Sequence, residues 1–191
     1  MKTGRFKNFT KVCAKFLEVM FFTCSVVMIV ATVYSFARGQ EFVEFLAEQV
    51  GNGTIATNGF EISIQDSQGN CLVAAGRIFA ITGILTMFFI GMIFRNIYLI
   101  IKTWEGKTWF SKGETPFQAD VVRMVRECGI FSILVPVTGF VMSAVAKIII
   151  GVDSCETSVQ VVGIAMGLAM ICFSRIFEYG ISLEKEVEGL V

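Results

Sequence analysis

The stretch IFAITGILTMFFIGMIFRNIYLII, from Ile78 to Ile101, contains one charged residue, Arg95. An α-helix rises about 1.5 Å per residue, so about 20 apolar residues cross the roughly 30 Å hydrocarbon layer of a bilayer. Three further stretches have that length and character: Phe16 to Phe36, Ile130 to Ile150 and Val159 to Phe177. Each is nearly free of charge except near its ends.

The whole chain of 191 residues is 54% hydrophobic and 17% charged. A soluble fold could bury one or two such helices, but four in so short a chain leave too little polar residue to solvate its outside. The expected fold is therefore an all-α membrane protein, a bundle of four transmembrane helices. Its loops are expected at 38–77 outside, with a candidate β-hairpin, and at 102–128 inside.

Lysine and arginine are retained on the cytoplasmic side of short loops. Lys2, Arg5, Lys7, Lys11 and Lys15 precede the first span, and Lys102, Lys107, Lys112, Arg123 and Arg126 lie between the second and third. The loop from Arg38 to Arg77 instead carries Glu41, Glu44, Glu48, Glu61 and Asp66. Both termini are thus expected in the cytoplasm, in a cell inner membrane. The first block also invites reading as a secretory signal, with Ser35-Phe36-Ala37 as a cleavage site. Its apolar core exceeds the usual 7 to 15 residues, which favours an uncleaved anchor. Net charge is zero, so no basic field points to direct nucleic-acid binding.

In the outer loop, Glu41 to Glu48 places Phe42, Phe45 and Leu46 on one helical face and three glutamates on another. Such a helix lies either on the membrane interface or against its own protein. Gly51 to Gly59 is rich in Gly, Asn and Thr, and Phe60 to Gln65 alternates apolar with polar as a strand does. A hairpin returning through Cys71, Leu72 and Val73 would be marginal unless it packs on helix ends. Asn52-Gly53-Thr54 matches the short glycosylation pattern.

In the inner loop, Thr115-Pro116-Phe117-Gln118 combines a capping threonine, a proline at the first helical position and a glutamine three residues after the cap. A helix is expected to start there and run into the third span, with Val121, Val122, Met124 and Val125 on one face and Asp120, Arg123 and Arg126 on the other. Pro136 should kink that span. Gly139 with Ser143, and Gly163 with Gly167, are small-residue pairs that would let the third and fourth spans approach closely.

Histidine is absent, which removes the commonest general base and transition-metal ligand. No glycine-rich phosphate loop, Gly-x-Ser-x-Gly elbow or Cys-x-x-Cys pair occurs. No enzyme activity, cofactor or metal is therefore expected. Of six cysteines, only Cys71 and Cys155 fall on the outer side, and a disulfide between them competes with two free thiols. Glu18, Arg95, Arg175 and Glu178 lie near the inner span ends, where they either pair or snorkel to headgroups.

Gly113-Glu114-Thr115-Pro116-Phe117, Asp120-Val121-Val122-Arg123-Met124-Val125-Arg126 and Gly129 resemble a pattern in the bacterial membrane-protein family known as domain of unknown function 2975. The closing stretch agrees, with Phe177, Glu178, Gly180, Glu184, Glu186, Glu188, Leu190 and Val191. Asp120 stands where that family usually has asparagine, and Thr115 intervenes before the proline. The resemblance implies a four-span inner-membrane protein without an established activity. Genes of the family often adjoin those of small helix-turn-helix regulators, which implies by association a cytoplasmic DNA-binding partner.

Two functions follow as expectations. The first is a regulatory or interaction protein, embedded in lipid, that docks a partner on Pro116, Phe117, Asp120, Arg123, Arg126 and the acidic tail. The alternative is a small transporter, channel or immunity-type protein, with Thr82, Thr86, Asn96, Thr138, Ser143 and Ser174 lining a path. The same arginines would serve equally to anchor the third span to anionic lipid.

Overall fold

The computed structural model describes residues 2–51, 53–66, 68–111, 118–152, 155–158 and 160–188. In chain order the elements are α1 (Lys2–Ala37), α2 (Gly39–Val50), β1 (Thr54–Thr57), β2 (Phe60–Ser63), α3 (Val73–Trp104), α4 (Ala119–Ile149), β3 (Cys155–Thr157) and α5 (Val161–Glu188). Helices α1, α3, α4 and α5 are long and apolar enough to cross a membrane. The chain is a multi-pass membrane protein.

These helices run 36, 32, 31 and 28 residues, well beyond the roughly 20 that hydrocarbon requires. Hydropathy marks the length facing lipid, whereas a helix stops only at a breaker or a cap, and flanking Lys and Glu continue it readily. The expected loops therefore shrink. α3 begins at Val73, five residues ahead of the expected span, and the acidic stretch from Glu178 onward continues α5. α4 runs from Ala119 through the buried Pro136. Its first turn closes when the Val121 and Val122 amides donate to the Gln118 carbonyl. Thr115, Pro116 and Phe117, like Asn52 of the glycosylation pattern, lie outside the described residues.

Packing divides the chain into two compact units. The sheet unit comprises Phe21–Phe89 and Leu134–Val161, and the terminal unit Met1–Met20, Ile90–Ile133 and Val162–Val191.

In the sheet unit an antiparallel sheet of order β1-β2-β3 covers the helices. Thr57 pairs with Phe60 across the two-residue turn Asn58-Gly59. Both turn residues hold positive φ, 25° and 101°, the left-handed twist that makes Asn-Gly the preferred hairpin turn. The partner of β2 is thus the Gly/Asn/Thr-rich segment, not the return through Cys71. That return survives only as a Gln65–Cys71 bridge and a Leu72 amide donating to the Ile64 carbonyl.

The third strand comes from the α4–α5 connection, where Ile62 faces Cys155. Side chains alternate across a strand, so Ile55, Ile62 and Cys155 turn inward while Ala56, Glu61 and Glu156 are exposed. They join Phe42 and Val43 of α2, Ile64, Ile78 and Ala146 in one core. Three strands and a helix supply the packing that two strands would lack. The amphipathic helix is realised as α2, and it packs on its own protein through Phe42, Val43, Leu46, Ala47 and Val50. Phe45, expected on that face, is exposed.

The sheet also corrects two pairings. Cys71 and Cys155 are both free thiols. Cys155 is opposite Ile62 and Cys71 opposite Gln65, three residues apart along one chain. At about 3.3 Å per extended residue that is about 10 Å, beyond the roughly 7 Å between Cα atoms that a disulfide spans. Gly139 and Ser143, expected to pack against a helix, instead meet the sheet. A Cβ on Gly139 would strike the Asn58 carbonyl, and Ser143 accepts a hydrogen bond from the Thr157 hydroxyl at 3.1 Å.

In the terminal unit α4 and α5 cross at Gly129 and Gly167. A Cβ on Gly167 would lie 2.6 Å from the Gly129 carbonyl oxygen, so only glycine permits this approach. Of the small residues singled out in the sequence, Gly167 is thus the one that meets α4, and it does so at Gly129. Gly163, one turn earlier, is half-buried.

Candidate functional site

The start of α4 presents two faces at helical spacing. Val121, Val122, Met124 and Val125 are buried, while Arg123 and Arg126 reach outward from the other side. This division follows from period 3.6, which sets residues three and four apart on one face. The second half of α5 supplies Glu178, Ile181 and Ser182 at the same spacing. Between them runs a groove of about 440 Å³. Ala119, Val122 and Ile181 provide its apolar lining, and Arg123, Arg126, Glu178 and Ser182 its polar lining.

Glu178 is the electrostatic centre. It accepts from Arg175 Nη1 at 2.9 Å and lies 3.6 Å from Arg126 Nη2, so one carboxylate faces two guanidinium groups from two helices. Arg123 stands between Asp120 at 4.0 Å and Glu127 at 3.5 Å. Glu127 also accepts from the amide of Asn96 on α3 at 3.1 Å. Every arginine of the groove therefore has an acidic neighbour already. These pairs are substantially exposed, with side-chain exposures of 43% for Arg126 and 52% for Glu178. Exposed pairs contribute about 0–1 kcal/mol each, little enough for an arriving charged segment to exchange with them.

Of the predicted docking residues, the fold brings together Asp120, Arg123, Arg126 and Glu178. Pro116 and Phe117 fall outside the described residues. Phe177 and Gly180 are half-buried on α5, and Glu184 and Glu186 are exposed farther along it, outside the groove lining. Glu18 is buried and held by Lys15 at 2.8 Å, so this carboxylate pairs. Arg95 is exposed.

The polar residues proposed to line a path are largely occupied locally. The Thr82 hydroxyl donates to the Ile78 carbonyl, Ser143 to Phe140 and Ser174 to Ile171. Thr86 is buried with its hydroxyl unpartnered among the described residues. None of them lines the groove.

Among the described residues no cluster of three His, Cys, Asp or Glu side chains could hold a metal. Burial pushes the Cys155 thiol up, which keeps it protonated and a poor nucleophile.

Sequence reasoning missed an ionic clamp in this unit. Lys11 Nζ donates to both carboxylate oxygens of Glu105, at 3.1 and 2.9 Å, and Lys107 Nζ lies 3.1 Å away. The Lys11 ammonium is the main reason that the Glu105 carboxyl titrates below its ordinary range. Ninety-four residues separate the pair, so no local pattern announces it.

No family model, curated protein or solved structure matches the chain. The resemblance to domain of unknown function 2975 thus rests on its two quoted segments.

Proposed function

We propose that this membrane protein is a regulatory or interaction protein that docks a cytoplasmic protein on the α4–α5 groove. The observation that carries this reading is the convergence of Arg126 and Arg175 on Glu178 beside an apolar lining. A partner helix would place apolar side chains against Val122 and Ile181 and exchange ion pairs at the rim, a common mode of helix-in-groove recognition. The excess of lysine and arginine on this side supports a cytoplasmic position for the face. The resemblance to domain of unknown function 2975 supports a small helix-turn-helix regulator as the partner, held at the membrane by protein contacts rather than by direct binding of DNA to this chain.

Purification in mild detergent followed by mass spectrometry of copurifying proteins tests the reading. Recovery of a DNA-binding protein, lost when Arg123 and Arg126 become alanine, is the expected result. Absence of any partner, together with ion flux through reconstituted liposomes, would replace docking with a conduit.

A further inference from the structure

Helix α3 ends at Trp104, and the chain then folds back onto that end. The Gly106 amide donates to the Thr103 carbonyl at 3.0 Å and the Lys107 amide to the Lys102 carbonyl at 3.1 Å. The Ser111 hydroxyl donates to the Thr103 carbonyl at 3.0 Å, and the Thr108 hydroxyl to that of Thr103 at 3.2 Å. Gly106 makes the reversal at a φ of 66°. Beneath it, Glu105 has a side chain only 6% exposed and is gripped by Lys11 and Lys107. The turn is therefore built, tied back to the end of α3 by several hydrogen bonds and with its one acid engaged.

On this fixed turn Trp109 is 95% exposed, with Phe110 edge-on at 5.3 Å between ring centroids. A large apolar ring held in water is unfavourable. The occupant that would cover it follows from position. Trp109 lies five residues past the last residue of a membrane-spanning helix, on a segment tied back to Thr103, so it stays close to the membrane boundary. Indole combines an apolar body with one N–H donor, and such rings concentrate at headgroup depth. Lys107, with 63% of its side chain exposed, adds a cation of the kind that anionic headgroups attract.

We propose that the turn from Glu105 to Ser111 is a preformed anchor that seats Trp109 at the lipid headgroup level, with Glu105 as its positioning residue. The inference is independent of the docking reading. It commits to lipid, and a protein covering Trp109 is an outcome of the test.

The chain has two tryptophans, so Trp104→Phe leaves Trp109 as the sole indole reporter. The full-length variant is placed in nanodiscs of phosphatidylcholine and phosphatidylglycerol, with lipid brominated either near the top of the acyl chain or near its methyl end. Bromine near the top should roughly halve Trp109 emission, as expected for a ring at the interface. Bromine at the methyl end and iodide in the water should quench it less. Strong iodide quenching with no effect of either brominated lipid overturns the anchor and leaves the ring to water or a protein. In the same background, Glu105→Gln should retain helical circular dichroism while raising iodide quenching. Lys11→Gln provides the same test should that variant misfold. Unchanged quenching in a folded variant overturns the positioning role of Glu105.

Discussion

In the sheet unit Ile62, Ile64 and Val43 are wholly buried, and the ion pair seen among the described residues, Arg38 with Glu41, stays exposed. In the terminal unit a carboxylate, Glu105, is deeply placed beside buried apolar residues such as Val121 and Met124, and polar contacts tie α1, α3, α4 and α5 to their neighbours. The exposed pairs of the terminal unit cost little to rearrange. One region is suited to holding shape, and the other to exchanging contacts.

The comparison breaks most visibly at Ile62. Ile62→Ala empties a site with no exposure and should cost about 2–5 kcal/mol, measured by thermal unfolding in detergent micelles. A loss as small as that of a surface substitution would mean that the sheet contributes little.

Gly129→Ala comes next, because its Cβ would fall 2.7 Å from the Gly167 carbonyl oxygen. The α4–α5 crossing should open at a cost of about 1–3 kcal/mol, and a cysteine cross-link placed across the two helices should form more slowly.

Glu105 sharpens the ionic side of the contrast through pH. Its carboxyl is held below the ordinary range, chiefly by Lys11, so the folded state binds that proton less readily than the unfolded chain. The stabilisation is full above the ordinary carboxylate pKa and is lost as pH falls through the lowered value. Stability measured against pH should therefore decline on the acid side, and Glu105→Gln should remove this part of the decline.

Arg126→Ala should change unfolding by about 0–1 kcal/mol, as exposed pairs do, yet abolish partner recovery.

The smallest effect concerns the thiols. Gel mobility should be the same with and without reductant, and a maleimide should label the half-exposed Cys71 faster than the buried Cys155. A reductant-sensitive shift that vanishes in Cys71→Ser would restore the disulfide.

The four spans were legible because hydrocarbon imposes a length and a composition that no other solvent requires. The α4 face pattern was equally plain, since a helix converts spacing directly into sides. The Asn58-Gly59 turn carried a readable signal, because both positions demand positive φ, and it marks β1 once that signal is given weight. By contrast, Gly139 and Gly163 matched a helix-packing motif that fits any close neighbour, whether a helix or, as for Gly139, a hairpin carbonyl.

The sequence by itself determined the number of long apolar helices, the two faces at the start of α4 and the uneven distribution of lysine and arginine along the chain. These properties are local or additive along the chain. Only the tertiary structure decided that Cys155 faces Ile62 instead of Cys71, that Gly129 meets Gly167, and that Lys11 grips Glu105. Each of those contacts joins distant segments, and it is set by strand register and helix rotation, which a shift of one residue would change.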